Sequence, residues 1–137
     1  MSKIKYSLDE LKFISVAESL THARIKDCII TDSVLFIVHE NEMGKALGKK
    51  AVNIDRLERI LNKKVKFAEF RNDVAQFIVN LLYPLRIKNV ELQDKIAIIH
   101  ADDMKTKGLI IGRDRRNVTH LRDVVSRFFA IEEIKVP

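Results

Sequence analysis

The sequence predicts an α+β protein built from two tandem copies of one small module, each ordered α-β-β-α-α-β. Two observations carry this. The chain repeats itself at an offset of 64 residues: Leu47-Gly-Lys-Lys-Ala-Val-Asn-Ile54 aligns with Ile111-Gly-Arg-Asp-Arg-Arg-Asn-Val118. Apolar residues then follow each motif at the same steps, Ile54, Leu57, Ile60, Leu61 and Val118, Leu121, Val124, Val125. Those steps place four side chains on one face of a helix.

The first copy opens with a helical stretch, roughly residues 8–22, in which Phe13, Ile14, Ala17 and Leu20 share a face. Two β-rich runs follow, Lys26–Ile30 and Val34–Val38, separated by the polar turn Thr31-Asp-Ser33. The glycine turn and its helix come next, and Val65–Phe70 alternates as a closing strand. The second copy runs in parallel. Val74, Phe77, Ile78, Leu81 and Leu82 make a helix face, and Pro84 ends that helix because proline cannot continue one. Lys88–Leu92 and Ile96–His100 read as a hairpin, and Ile131–Val136 as the last strand. Asn53 and Asn117 stand just ahead of the helix faces and are expected to act as N-caps. The boundary is expected near residues 71–73, giving domains 1–71 and 72–137. A half of this size buries little core, so the halves are expected to pack together and present one surface.

Composition excludes several classes. Four Gly and two Pro rule out long low-complexity linkers. No apolar run approaches the roughly 18 residues of a membrane span. Met1–Ser7 lacks the apolar core of a secretory signal, so a cytoplasmic location is expected. Cys28 is the only cysteine and lies in an apolar run, where a buried structural thiol is expected. No zinc-ligand spacing and no nucleophile–base pair is visible, so neither metal, cofactor nor enzymatic activity is expected. Gly44-Lys-Ala-Leu-Gly-Lys-Lys50 is one residue short of a P-loop and lacks its Ser or Thr. Asp102-Asp103 reads as a turn or cap before Met104, and Phe128-Phe129 as core or inter-domain contact.

Charge is concentrated where the repeat is strongest. The chain carries net +6. Residues 44–59 carry net +3 and residues 105–122 net +5, which leaves −2 for everything else. Two equivalent basic clusters point to an anionic partner more specifically than the total does.

The α-β-β-α-α-β order, with an aliphatic-Gly-x-x-x-x-Asn turn between the later helices, resembles a type II KH domain. The tandem pair resembles the KH portion of NusA transcription factors, and the short archaeal NusA-like family in particular. The resemblance covers nearly the whole chain, so the additional domains of bacterial NusA are expected to be absent. It implies a non-catalytic protein that binds single-stranded RNA, contacts nascent transcript near RNA polymerase, and acts in termination or elongation. Ribosome assembly, RNA processing, or a protein-interaction role with degenerate loops stay open as alternatives. The oligomeric state is open too.

The family's GXXG loops map onto Gly48-Lys49-Lys50-Ala51 and Gly112-Arg113-Asp114-Arg115. Such turns clamp the backbone of about four nucleotides. Glycine allows close approach, helix N–H groups favour an anion, and Lys or Arg adds charge. The implied RNA-binding set is Gly48, Lys49, Lys50, Ala51, Asn53, Arg56, Gly112, Arg113, Asp114, Arg115, Arg116 and Asn117, with His120 equivalent to Arg56. Leu47, Ile54, Ile111 and Val118 are candidates for an apolar groove under the bases, or for plain core. The last glycine is replaced by Ala51 and Arg115, and Asp114 brings a negative charge. Asp114 is expected to offset that by capping the helix or pairing with Arg113 or Arg116. The first loop is the closer match.

Overall fold

The computed structural model describes residues 8–137; the stretch Met1–Ser7, read above as no signal peptide, lies outside them. The chain divides into two compact units, with the division between Arg71 and Asn72.

In the first unit the order is α1 (Leu8–Thr21), β1 (Ile25–Ile30), β2 (Ser33–Val38), α2 (Met43–Leu47), α3 (Val52–Leu61) and β3 (Lys64–Glu69). The β-branched runs of β1 and β2 form an antiparallel hairpin, and β3 returns parallel to β2 with all six of its residues in register. Strand β2 is therefore central, and five of its six residues are buried. Helix α1 turns Ala17 inward with Phe13, Ile14 and Leu20 against a core that includes Cys28, Val34, Phe36, Val38, Leu57 and Phe67. Phe36 and Phe67 stack at 5.6 Å between ring centroids. Cys28 is a fully buried cysteine outside any disulfide, as its apolar neighbours predict.

The second unit repeats the order with α4 (Val74–Leu82), β4 (Ile87–Gln93), β5 (Ile96–Ala101), α5 (Met104–Ile111), α6 (Arg116–Ser126) and β6 (Glu133–Lys135). Asp73 caps α4 by accepting from the Ala75 N–H at 3.0 Å, and the helix stops before the cis Tyr83-Pro84 bond. Asp103 caps α5, accepting from the Thr106 N–H at 2.7 Å, and that bond holds its carboxyl below the usual range. The ring centroids of Phe128 and Phe129 lie 5.6 and 5.9 Å from that of Phe77, so these half-buried side chains pack against the core of their own unit. The last strand is shorter than its alternation suggests: only residues 133–135 pair with β5. Residues 128–131 are held instead in turns, with the Phe129 N–H on the Val125 carbonyl and the Ile131 N–H on that of Phe129.

Each core is small, so one large side chain carries much of it. Phe77 is fully buried, and Phe77→Ala should lower the unfolding free energy by about 3–5 kcal/mol. Urea unfolding of the full chain checks this.

Candidate nucleic-acid interface

The two glycine turns have the same backbone. Gly48 ends α2 with φ 71° and ψ −174°, and Gly112 ends α5 with φ 74° and ψ 171°. This combination is open essentially to glycine alone. Each glycine N–H donates to the carbonyl four residues back, Gly44 at 3.0 Å and Gly108 at 2.8 Å. A short 3₁₀ turn follows, residues 49–51 and 113–115. In it Lys50 and Ala51, like Asp114 and Arg115, stand in the left-handed region with φ between 54° and 62°. The positions where the motif has its last glycine thus keep the left-handed backbone with Ala51 and Arg115 in place. The bulk of Arg115 does not redirect the chain.

The asparagines correct the sequence expectation. Neither caps a helix with its side chain; Ala51 and Arg115 occupy the N-cap positions, without side-chain capping bonds. Asn53 sits inside α3 and reaches back to the previous helix. Its Nδ2 donates to the Lys45 carbonyl at 3.3 Å and the Ala46 carbonyl at 3.1 Å. Asn117 does the same, donating to the Leu109 carbonyl at 2.9 Å. These are carbonyls at a helix end, which lack an intrahelical donor. The amide passes so close beneath the glycine that a Cβ at Gly48 would lie 2.8 Å from Asn53 Nδ2, and one at Gly112 2.6 Å from Asn117 Cγ. Glycine and asparagine therefore fit one another across the turn. Asn53 is buried in this role, while Asn117 remains exposed.

The cations face outward. Lys49, Lys50, Arg56, Arg113, Arg115 and Arg116 are all exposed. Among the described residues none of the six makes an ion pair, whereas neighbours do: Lys45 with Glu42 at 3.6 Å, and Arg122 with Asp123 at 3.0 Å. Asp114 departs from expectation. It neither caps α6 nor pairs with Arg113 or Arg116, because the left-handed backbone at 114 and 115 intervenes before the helix begins. Its charge stands exposed in the second turn.

Beside that turn, α6 and β6 enclose a cleft of about 410 Å³ lined by Arg115, Val118, Thr119, Arg122, Glu132, Glu133 and Ile134. Val118 is thus both core and groove wall. Leu47 and Ile54 of the first unit pack against its core as partly buried side chains. The sequence reading missed Thr119, Glu132 and Glu133. The closing strand held the only signal for the two glutamates, since it must return beside the last helix. The histidines add no shared site. His100 Nε2 lies 2.9 Å from Glu91 Oε1, and burial, then Lys26 and Arg24, pushes the His39 imidazole below its usual value. No group of three or more metal-ligating side chains exists among the described residues.

Residues 13–71 match the domain family described as KH domain. The chain is 29% identical to the "Probable transcription termination protein NusA" of Methanocaldococcus jannaschii, over 99% of this chain and 76% of that one. It is 28% identical to the protein of the same name from Halococcus morrhuae, over 98% and 99% of the two chains. The solved structure described as "Crystal structure of APE1850" superposes with a TM-score of 0.76 at 29% identity, covering 96% of this chain and 100% of that one.

The fit between glycine and asparagine predicts opposite effects at two glycines of α5 and its turn. Gly112→Ala should cost about 1–3 kcal/mol, from positive φ and the clash with Asn117. Gly108→Ala meets nothing within 4 Å and should stabilise by about 0.5–1 kcal/mol. Paired denaturant titrations give the two signs.

Proposed function

We propose that this chain, a tandem-KH relative of the archaeal NusA proteins, binds single-stranded RNA through its turns at Gly48 and Gly112 and acts in transcription termination or elongation. One observation carries the reading: the same glycine-led turn occurs twice, each ringed by exposed cations that no described carboxylate neutralises. A polynucleotide backbone is the partner such a turn suits. Phosphate can approach a glycine without meeting a Cβ, and the N-termini of α3 and α6, uncapped by side chains, favour negative charge. In this reading Lys49 and Lys50 neutralise phosphates at the first turn, and Arg113, Arg115 and Arg116 do so at the second. Arg56 adds charge farther along α3. Asn53 and Asn117 hold the turns in shape rather than reading the strand.

Each turn alone would bind weakly. Two on one chain gain from effective concentration if both engage the same strand. RNA polymerase is the protein partner that fits a NusA-like role, with the transcript emerging beside it. A second reading has one observation in its favour: the exposed charge of Asp114 makes the second turn less suited to phosphate. That turn would then serve a protein contact, and its association would be insensitive to salt.

Replacing Lys49→Asp together with Lys50→Asp should lower affinity for a single-stranded RNA oligonucleotide by more than about tenfold. The dependence of log affinity on log salt should flatten by about 0.7 for each phosphate no longer neutralised. Fluorescence anisotropy at several salt concentrations measures both. Unchanged affinity would remove the first turn from the interface, and retention of RNA polymerase on the immobilised chain tests the transcriptional role.

A further inference from the structure

We infer that the cleft between α6 and β6 selects bases that carry an exocyclic amino group, with Glu133 as the discriminating residue. The inference rests on the RNA-binding reading above and specifies what that site would read.

The cleft has walls of opposite charge. Arg115 and Arg122 stand on the helix side, Glu132 and Glu133 on the strand side. No ion pair bridges them: Arg122 is engaged by its neighbour Asp123, and Glu132 by Lys95 at 3.4 Å. Glu133 has neither an ion pair nor a side-chain hydrogen bond among the described residues. Its root is nonetheless fixed. It begins β6 opposite Ile96, and the next pair, Ala97 and Ile134, is buried. Because Ile134 is buried, Glu133 stands on the exposed side of the strand, at the edge shared by this cleft and the outer sheet face that carries Glu91, His100 and Lys135, with its acceptor capacity unused.

An ionised carboxylate only accepts hydrogen bonds. Facing a base, it matches the N4 amino group of cytosine, a pairing that glutamate and aspartate make with nucleic acids. Uracil presents a carbonyl at the same place, and the two acceptors would be desolvated against each other. Arg115 and Arg122 supply donors for the acceptors on the rest of the base or its phosphate. The first unit has the reverse chemistry at this register. There Lys64 begins β3 opposite Ser33, followed by the buried pair Val34 and Val65. Lysine only donates. The two units thus present opposite hydrogen-bonding character at equivalent strand positions, and the amino preference belongs to the second.

Cytosine and uracil isolate the difference, since they share size and shape. The full chain is titrated with eight-residue oligo(C) and oligo(U). The unmodified protein should favour oligo(C) by on the order of tenfold. Glu133→Gln should remove most of that ratio, and Glu133→Lys should invert it. Glu133 is exposed, so circular dichroism should be unchanged in both variants. Equal binding of the two oligonucleotides by the unmodified chain overturns the inference and leaves RNA binding standing. So does a Glu133→Lys effect of equal size on both, which would be general charge attraction. Failure to bind either oligonucleotide overturns both readings.

Discussion

A single amide packed beneath a glycine shapes each half of this protein. Asn53 and Asn117 tie the end of one helix to the start of the next, and the carbonyls they satisfy would otherwise lack a donor. The glycine must be there because the amide is there: a Cβ would overlap it. The rest of the turn follows. Once the first helix is ended and the second is anchored, the connecting residues span the gap with two consecutive left-handed residues. Ala51 and Arg115 accept that backbone although each costs about a kilocalorie relative to a right-handed one.

Strain of this kind persists when the surroundings over-determine it, and it gathers where a surface must keep one shape. Here it holds Lys49, Lys50, Arg113 and Arg116 outward beside a helix N-terminus. Some surface lysines and arginines, Lys45, Arg71 and Lys95 among them, pair with a carboxylate. Among the described residues those of the turns do not, so their charge stays available. A field of unpaired cations raises local anion concentration and speeds encounter, independent of sequence.

The two copies share a backbone and differ in chemistry. The first turn is lysine-rich with a small residue at its end. The second carries a carboxylate and a long guanidinium in the same conformations, and its cleft sets arginines against glutamates. Both copies carry what the geometry needs, namely glycine, asparagine and the apolar face. The exposed side chains around that frame differ between the two copies.

The fold was legible in the sequence because its signals are local and periodic. The repeat of Gly-x-x-x-x-Asn, the helical steps after it, and the β-branched runs before it each reflect short-range geometry. So do the proline stop at Pro84 and the cap at Asp103. What the sequence left undecided depends on partners distant along the chain. Asparagine before an apolar helix reads as a cap, yet the amide turned back to carbonyls eight residues earlier, because the glycine turn brings them within 3 Å or so. The neutralising role expected of Asp114 failed for the same reason, since a left-handed backbone aims its side chain where no sequence pattern can foresee. Glu132 and Glu133 entered the second cleft only because β6 returns parallel to β5 beside α6. By itself the sequence determined the order of the elements and where the positive charge lies. Tertiary structure decided which side chains hold the turn and which face the cleft, because those assignments depend on directions and distances set only when the elements pack.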